Sequence, residues 1–144
     1  MGKKEKNKWH LFESLTTGNH RHVRISKTMY DHQAWKALTS YERDLYLHIK
    51  MKYNGRNNDN ISFTYKEGQE LMSRSRFIKA RDRLVELGFI DIIENWRHSN
   101  RPTIYGLSAR WRHYGTRLFE EVERPKTEGC KDGLFYGNQH TTKK

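Results

Sequence analysis

The chain has 144 residues, room for one domain with tails, and its 28 Lys and Arg against 17 Asp and Glu leave a net charge of +11. An excess of that size points to a polyanionic partner, because Lys and Arg seated at phosphates release condensed counterions. No apolar run is long enough to cross a bilayer, no signal-peptide core follows the start, and the single cysteine, Cys130, rules out an internal disulfide; a cytoplasmic setting is expected.

Residues 1–8 (MGKKEKNK) are basic and polar, and disorder is expected there, with loose phosphate contact as the functional alternative. Trp9, Leu11, Phe12 and Leu15 follow, suited to packing on the domain or on a partner. Residues 20–25 (HRHVRI) alternate weakly and read as an edge strand. His20 and His22 invite comparison with a metal pair or with the histidine pair of rolling-circle nickases. That motif places a bulky apolar residue between its histidines, whereas Arg21 stands here, and a cation beside a metal is unfavourable. No local Asp, Glu or Cys completes a tetrahedral set, so no metal or cofactor is assigned.

Residues 26–38 contain a short helix with Met29, Trp35 and Leu38 facing inward. Thr39 and Glu42 have the spacing of a capping box, and Tyr41, Leu45, Ile49 and Tyr53 recur every fourth residue, so residues 40–52 are predicted as a helix. Residues 53–60 (YNGRNNDN) make a turn-rich connector and residues 61–64 (ISFT) a short strand. Thr64 and Glu67 repeat the capping box and open a helix through Leu71 or Met72. Gly68 inside it costs roughly 1 kcal/mol against alanine, so this helix must lean on tertiary packing.

Residues 73–88 (SRSRFIKARDRLVELG) are the stretch around which the rest is organised. Phe77, Ala80, Leu84 and Leu87 line one side of a helix, and Ile78 and Val85 widen it. Arg74, Arg76, Lys79 and Arg83 point elsewhere. Five basic residues (74, 76, 79, 81, 83) against Asp82 leave this stretch at +4. Ser73 is placed to cap the start and Gly88 the end. Residues 89–94 (FIDIIE) read as a strand, residues 103–107 (TIYGL) as its partner, and residues 95–102 (NWRHSNRP) as a basic loop between them. Two tightly joined helices, the second basic, then strand, basic loop and strand, follow the order of a winged helix-turn-helix, whose second helix enters the major groove. The expected fold is α+β: mostly α, with a three-helix core and a two- or three-stranded wing sheet.

Beyond Leu107, residues 108–115 (SARWRHYG) carry aromatics and bases, and residues 116–124 are expected to add a helical turn with Leu118, Phe119 and Val122. Residues 125–144 read as a flexible tail, with a docking motif at Leu134, Phe135 and Tyr136 as the alternative. Three parts result: a basic, aromatic extension (1–22), a winged-helix domain (23–115) and a C-terminal extension with a basic tail (116–144).

Residues 53–92, followed by residues 101–115, resemble the winged-helix domains of plasmid, phage and conjugative-element proteins, among them replication-initiator N-terminal domains and small stand-alone regulators or accessory factors. The resemblance spans roughly residues 23–115. The Tyr53-Asn54-Gly55 connector, the Ser73-Arg74-Ser75 helix entry and the Gly88-Phe89-Ile90 turn carry it together. It implies a three-helix core, a two-stranded wing and double-stranded DNA as partner. The chain departs from the family at Gly68, where alanine is expected, and at Arg81, where an apolar residue is commoner and which weakens that edge of the helix as a core face. It also ends before the second domain of a full initiator, which favours a regulator or an accessory factor in replication or conjugative transfer.

On this basis Ser75, Arg76 and Lys79 are expected at base edges, with Arg83 nearer the backbone. Ser73 and Arg74, at the helix start, suit phosphate. Arg97 and Arg101 on the wing suit an adjacent minor groove or its phosphates, while Trp96 clamps the hairpin. The other reading is a protein-interaction winged helix, recruiting partners through the N-terminal segment or the tail. Single-strand or RNA binding fits less well, because the aromatics sit mainly at core-like positions. No acidic cluster and no nucleophile beside a base points to an enzyme, and no clear dimerisation element is present.

Overall fold

The computed structural model describes residues 22–95 and 101–122. Among these residues the chain forms α1 (Lys27–Asp31), α2 (Gln33–Lys36), α3 (Ser40–Met51), β1 (Ile61–Phe63), α4 (Tyr65–Leu71), α5 (Arg74–Glu86), β2 (Ile90–Glu94), β3 (Thr103–Leu107) and a 3₁₀ turn, Arg110–His113. This is an α+β arrangement, with one antiparallel sheet in the order β1-β3-β2.

Residues 26–38 make two helical turns rather than one. His32 is extended, and its Nδ1 accepts the Ala34 N–H at 3.1 Å, so this residue ends α1 and caps α2. Met29, Trp35 and Leu38 are buried as expected. Residues 22–25 are not the expected edge strand; a side chain, not a ladder, ties them down, Lys50 Nζ donating to the Arg24 carbonyl at 2.6 Å.

Both capping boxes are present. The Glu42 carboxylate accepts the Thr39 N–H at 2.7 Å, and the Glu67 carboxylate accepts the Thr64 N–H at 2.7 Å, with each threonine hydroxyl capping in return. α3 buries Leu45, Tyr46 and Ile49, whereas Tyr41 and Tyr53, at the ends of its stripe, are exposed. Lys52 at the end of α3 pairs with Glu67 and donates to the Ser62 carbonyl at 2.8 Å, joining α3, β1 and the start of α4.

Gly68, where the family resemblance calls for alanine, lies against the ring of Phe77: a Cβ built there would come within 2.4 Å of it. The glycine therefore lets α4 and α5 approach closely. Phe77 is 1% exposed, stacks on Phe63 at 6.1 Å and meets Tyr65 edge-on at 5.4 Å.

α5 ends in a Schellman motif. Gly88 has φ +80, its N–H donates to Val85, and the Phe89 N–H donates to Leu84 at 2.9 Å. Phe89 therefore belongs to the helix terminus, not to the strand expected to begin there. Its ring is fully buried, edge-on to Trp35 and Tyr46 and parallel to Trp111 at 5.9 Å. In the sheet, Tyr105 lies opposite both Ile61 and Ile92, which makes β3 the central strand.

Residues 116–122 form no helix, only a single turn in which the Phe119 N–H donates to the Thr116 carbonyl at 3.2 Å. The Thr116 hydroxyl donates to the His113 carbonyl at 2.7 Å and accepts the Leu118 N–H at 3.2 Å, giving the backbone a local alternative to helix. Leu118, at 71% exposure, and Val122 consequently face solvent. The expectations for Trp96, for Cys130, for residues 1–21 and for residues 123–144 lie outside the described residues.

Gly68→Ala is expected to destabilise the protein despite gaining about 1 kcal/mol of helix propensity, because overpacking a buried ring costs roughly 1–3 kcal/mol. A lower urea midpoint for the alanine variant is the expected result; a higher one would show that Phe77 yields freely. Glu67 adds a pH dependence. Burial alone would raise its carboxyl, but hydrogen bonds from Lys52 and from the Thr64 backbone and hydroxyl outweigh that and hold it below its ordinary value. Its contribution is then complete above the unfolded value of about 4.3 and is lost as pH falls through the lower folded value. Wild type should lose more stability between pH 7 and pH 3 than Glu67→Gln, and parallel losses would contradict this.

Candidate nucleic-acid interface

α5 has two faces of different character. Phe77, Ala80, Leu84 and Val85 are buried against the core, and Ile78 is half-buried. Ser73, Arg74, Ser75, Arg76 and Lys79 are exposed, and the first turn holds no acidic residue. Ser73 occupies the N-cap position but makes no side-chain cap bond; its Oγ lies 3.5 Å from that of Ser75. The expected serine cap is thus replaced by a serine pair, and the N–H groups of the first turn carry no side-chain acceptor from it.

Arg81 corrects the charge distribution read from the sequence. It is 3% exposed, on the inner side of the helix, with Nε and Nη2 on the Asp82 carboxylate at 3.0 and 2.8 Å and Nη1 on the Tyr65 hydroxyl at 3.1 Å. Burial works against its charge, but Tyr105, Asp82 and Tyr65 around it more than offset this and raise its pKa above the ordinary arginine value. Tyr105 is itself pushed up to about 12, chiefly by burial. Arg81 and Asp82 therefore cancel inside the fold. Arg83 is half-buried and pairs with Glu86 at 3.1 Å, so it is less available to a phosphate backbone than expected. Arg74, Arg76 and Lys79 are exposed on the outward face.

Two tyrosines that sequence periodicity does not assign to the surface support these arginines. Tyr65, first residue of α4, lies beneath Arg74, with Cζ 5.5 Å from the ring centroid. Tyr41, second residue of α3, lies beneath Arg76 at 4.1 Å. Position at a helix start was the available signal, since the first turn of a helix docked by its middle projects past the core. The structure thus brings residues 73–76 and 79 together with the N-terminal ends of α3 and α4. Arg101 is exposed at the approach to β3, while Arg97 lies outside the described residues.

Among the described residues no group of three or more His, Cys, Asp or Glu side chains comes together to hold a metal ion, and His22 is exposed. No helix among them is long and apolar enough to cross a membrane.

Arg81→Ala strips a buried carboxylate and a tyrosine hydroxyl of their partner, so a loss of about 3–5 kcal/mol is expected, whereas Lys79→Ala should stay within about 0.5 kcal/mol of wild type. Urea unfolding of both variants checks this contrast; similar midpoints would return Arg81 to the solvated face.

Compared with family models, with curated proteins and with solved structures, the chain matches none.

Proposed function

We propose that this protein is a winged helix-turn-helix protein that binds double-stranded DNA sequence-specifically, with α5 in the major groove. The helix order α3-α4-α5, the tight α4–α5 link through Met72 and Ser73, and the β1-β3-β2 sheet support the fold. One observation carries the function: the N-terminal half of α5 exposes Arg74, Ser75, Arg76 and Lys79 with no first-turn acid, while its other face is anchored in the core.

In this reading Ser75, Arg76 and Lys79 meet base edges, and Ser73 and Arg74, at the helix start, meet phosphate. Arg101, with Arg97, adds contacts from the β2–β3 connector to the adjacent minor groove or its phosphates. Arg83 contributes less, being paired with Glu86. The resemblance to mobile-element proteins assigns it a role as regulator, or as accessory factor in replication or conjugative transfer. Recruitment of protein partners is the second reading, and the exposed Leu118 and Val122 favour it.

Selection from random duplex DNA at about 150 mM salt, near physiological ionic strength, should enrich a defined motif. Arg74→Ala should weaken binding to all sequences alike and reduce the slope of log affinity against log salt by about 1, as loss of one phosphate contact does. Absence of enrichment, with binding that vanishes as salt rises, would leave only charge attraction and favour the protein-partner reading.

A further inference from the structure

The arginines of α5 differ in which part of the guanidinium the protein holds. Arg81 is gripped by the edge, its N–H donors on Asp82 and Tyr65, and Arg83 by one end, its Nη1 on Glu86. Arg76 instead lies over a ring, with Cζ 4.1 Å from the Tyr41 centroid, and no hydrogen-bond acceptor among the described residues engages its N–H groups. A cation resting on a ring keeps its donor edge clear while one whole side of its conformational space is blocked. Tyr41 is itself well placed to act as a platform. It is the second residue of α3, inside the turn closed by the Thr39–Glu42 capping box, and α3 is anchored by the fully buried Leu45 and Ile49. Tyr41 is 45% exposed, so it supports Arg76 at the surface instead of drawing it into the core.

We infer that Tyr41 is a positioning residue for sequence specificity, and that the Tyr41–Arg76 pair reads a single guanine. A planar fork with a clear edge matches the two major-groove acceptors of guanine, O6 and N7, whereas adenine offers an acceptor beside a donor. An arginine without the ring would sample many orientations and would engage phosphate as readily as base. Tyr41 touches no base; it acts through Arg76. This inference rests on the DNA-binding reading above.

The test is position-resolved selection from random duplex DNA with wild type, Arg76→Ala, Tyr41→Ala and Tyr41→Phe, with thermal unfolding of each. Arg76→Ala should lose the preference for guanine at one position. Tyr41→Ala should lower that same preference by about 3- to 10-fold, on the scale of a cation–π contact at a partly exposed site, and leave the other positions as in wild type. Tyr41→Phe, which keeps the ring face, should restore it. If Arg76→Ala erases the guanine and Tyr41→Ala leaves it intact, the positioning role is overturned while base reading by Arg76 stands. Loss at all positions in both Tyr41 variants would make the hydroxyl a phosphate contact, and an even loss with a lowered melting temperature would make Tyr41 purely structural; either overturns the inference. Uniform weakening by Arg76→Ala overturns both the inference and base reading by this residue. A wild type that selects no motif overturns the DNA-binding reading itself.

Discussion

The seat of the Phe77 ring on Gly68 sets the rest of the structure. A ring 1% exposed, held between Phe63, Tyr65 and the bare backbone of α4, leaves α5 one rotation about its own axis. Close-packed interiors tolerate neither a void nor an extra methyl at such a point. Once that rotation is set, Ala80, Leu84 and Val85 must face the core and residues 73–76 and 79 must face outward. The outward chemistry of the helix is therefore a consequence of its inward packing. The glycine that is unfavourable for α4 as an isolated helix is what permits the close approach that α4 and α5 need as a pair.

The two ends of α5 are secured by different means, and this matters for a helix that presents a surface. At its C-terminal end the Schellman motif satisfies the last carbonyls, and Arg110 adds a bond to the Val85 carbonyl at 2.8 Å while pairing with Asp91 at 2.6 Å. Gly88 fits closely against this arginine, since a Cβ there would lie 2.7 Å from Arg110 Cβ. Helix end, β2 and the 3₁₀ turn are thereby locked together. At the N-terminal end the Ser73 side chain makes no cap bond. Stability is concentrated at the end away from the exposed basic residues.

Much of this was legible in the sequence because it is local. Thr39 with Glu42, Thr64 with Glu67, and Gly88 after the last apolar position each specify a helix boundary through a few neighbouring residues, and all three hold. The strands at 61–63, 90–94 and 103–107 likewise follow from composition and bounding turns. What was misjudged depends on distant partners. Arg81 lies four residues after Phe77 and three before Leu84, so periodicity alone puts it on the buried face; its charge argued otherwise, and only Tyr65, from another helix, and the neighbouring Asp82 make burial tolerable. Tyr41 fits the stripe of α3 by spacing, yet it lies beyond the part of that helix covered by the core. At residues 116–122 the apolar spacing suggested a helical turn; one turn forms, from the Thr116 carbonyl to the Phe119 N–H, and the threonine hydroxyl, bonding in both directions, gives the backbone a local alternative to continuing it as a helix.

For the candidate interface, the same limit separates residue type from residue use. Five basic residues between positions 74 and 83 give a net charge that the sequence states correctly, but charge does not say which donors remain available. Pairing divides them: Arg81 is consumed by the fold, Arg83 pairs with Glu86 within its own helix, and Arg76 lies over the Tyr41 ring. A net charge distributed over five free side chains would attract any polyanion. In the proposed DNA-binding reading, a smaller charge carried by a few residues, one of them resting on a ring beside a rigid helix, suits telling one base edge from another. Discrimination of that kind depends on how few arginines are left outward and how firmly each is held, more than on how many the helix contains.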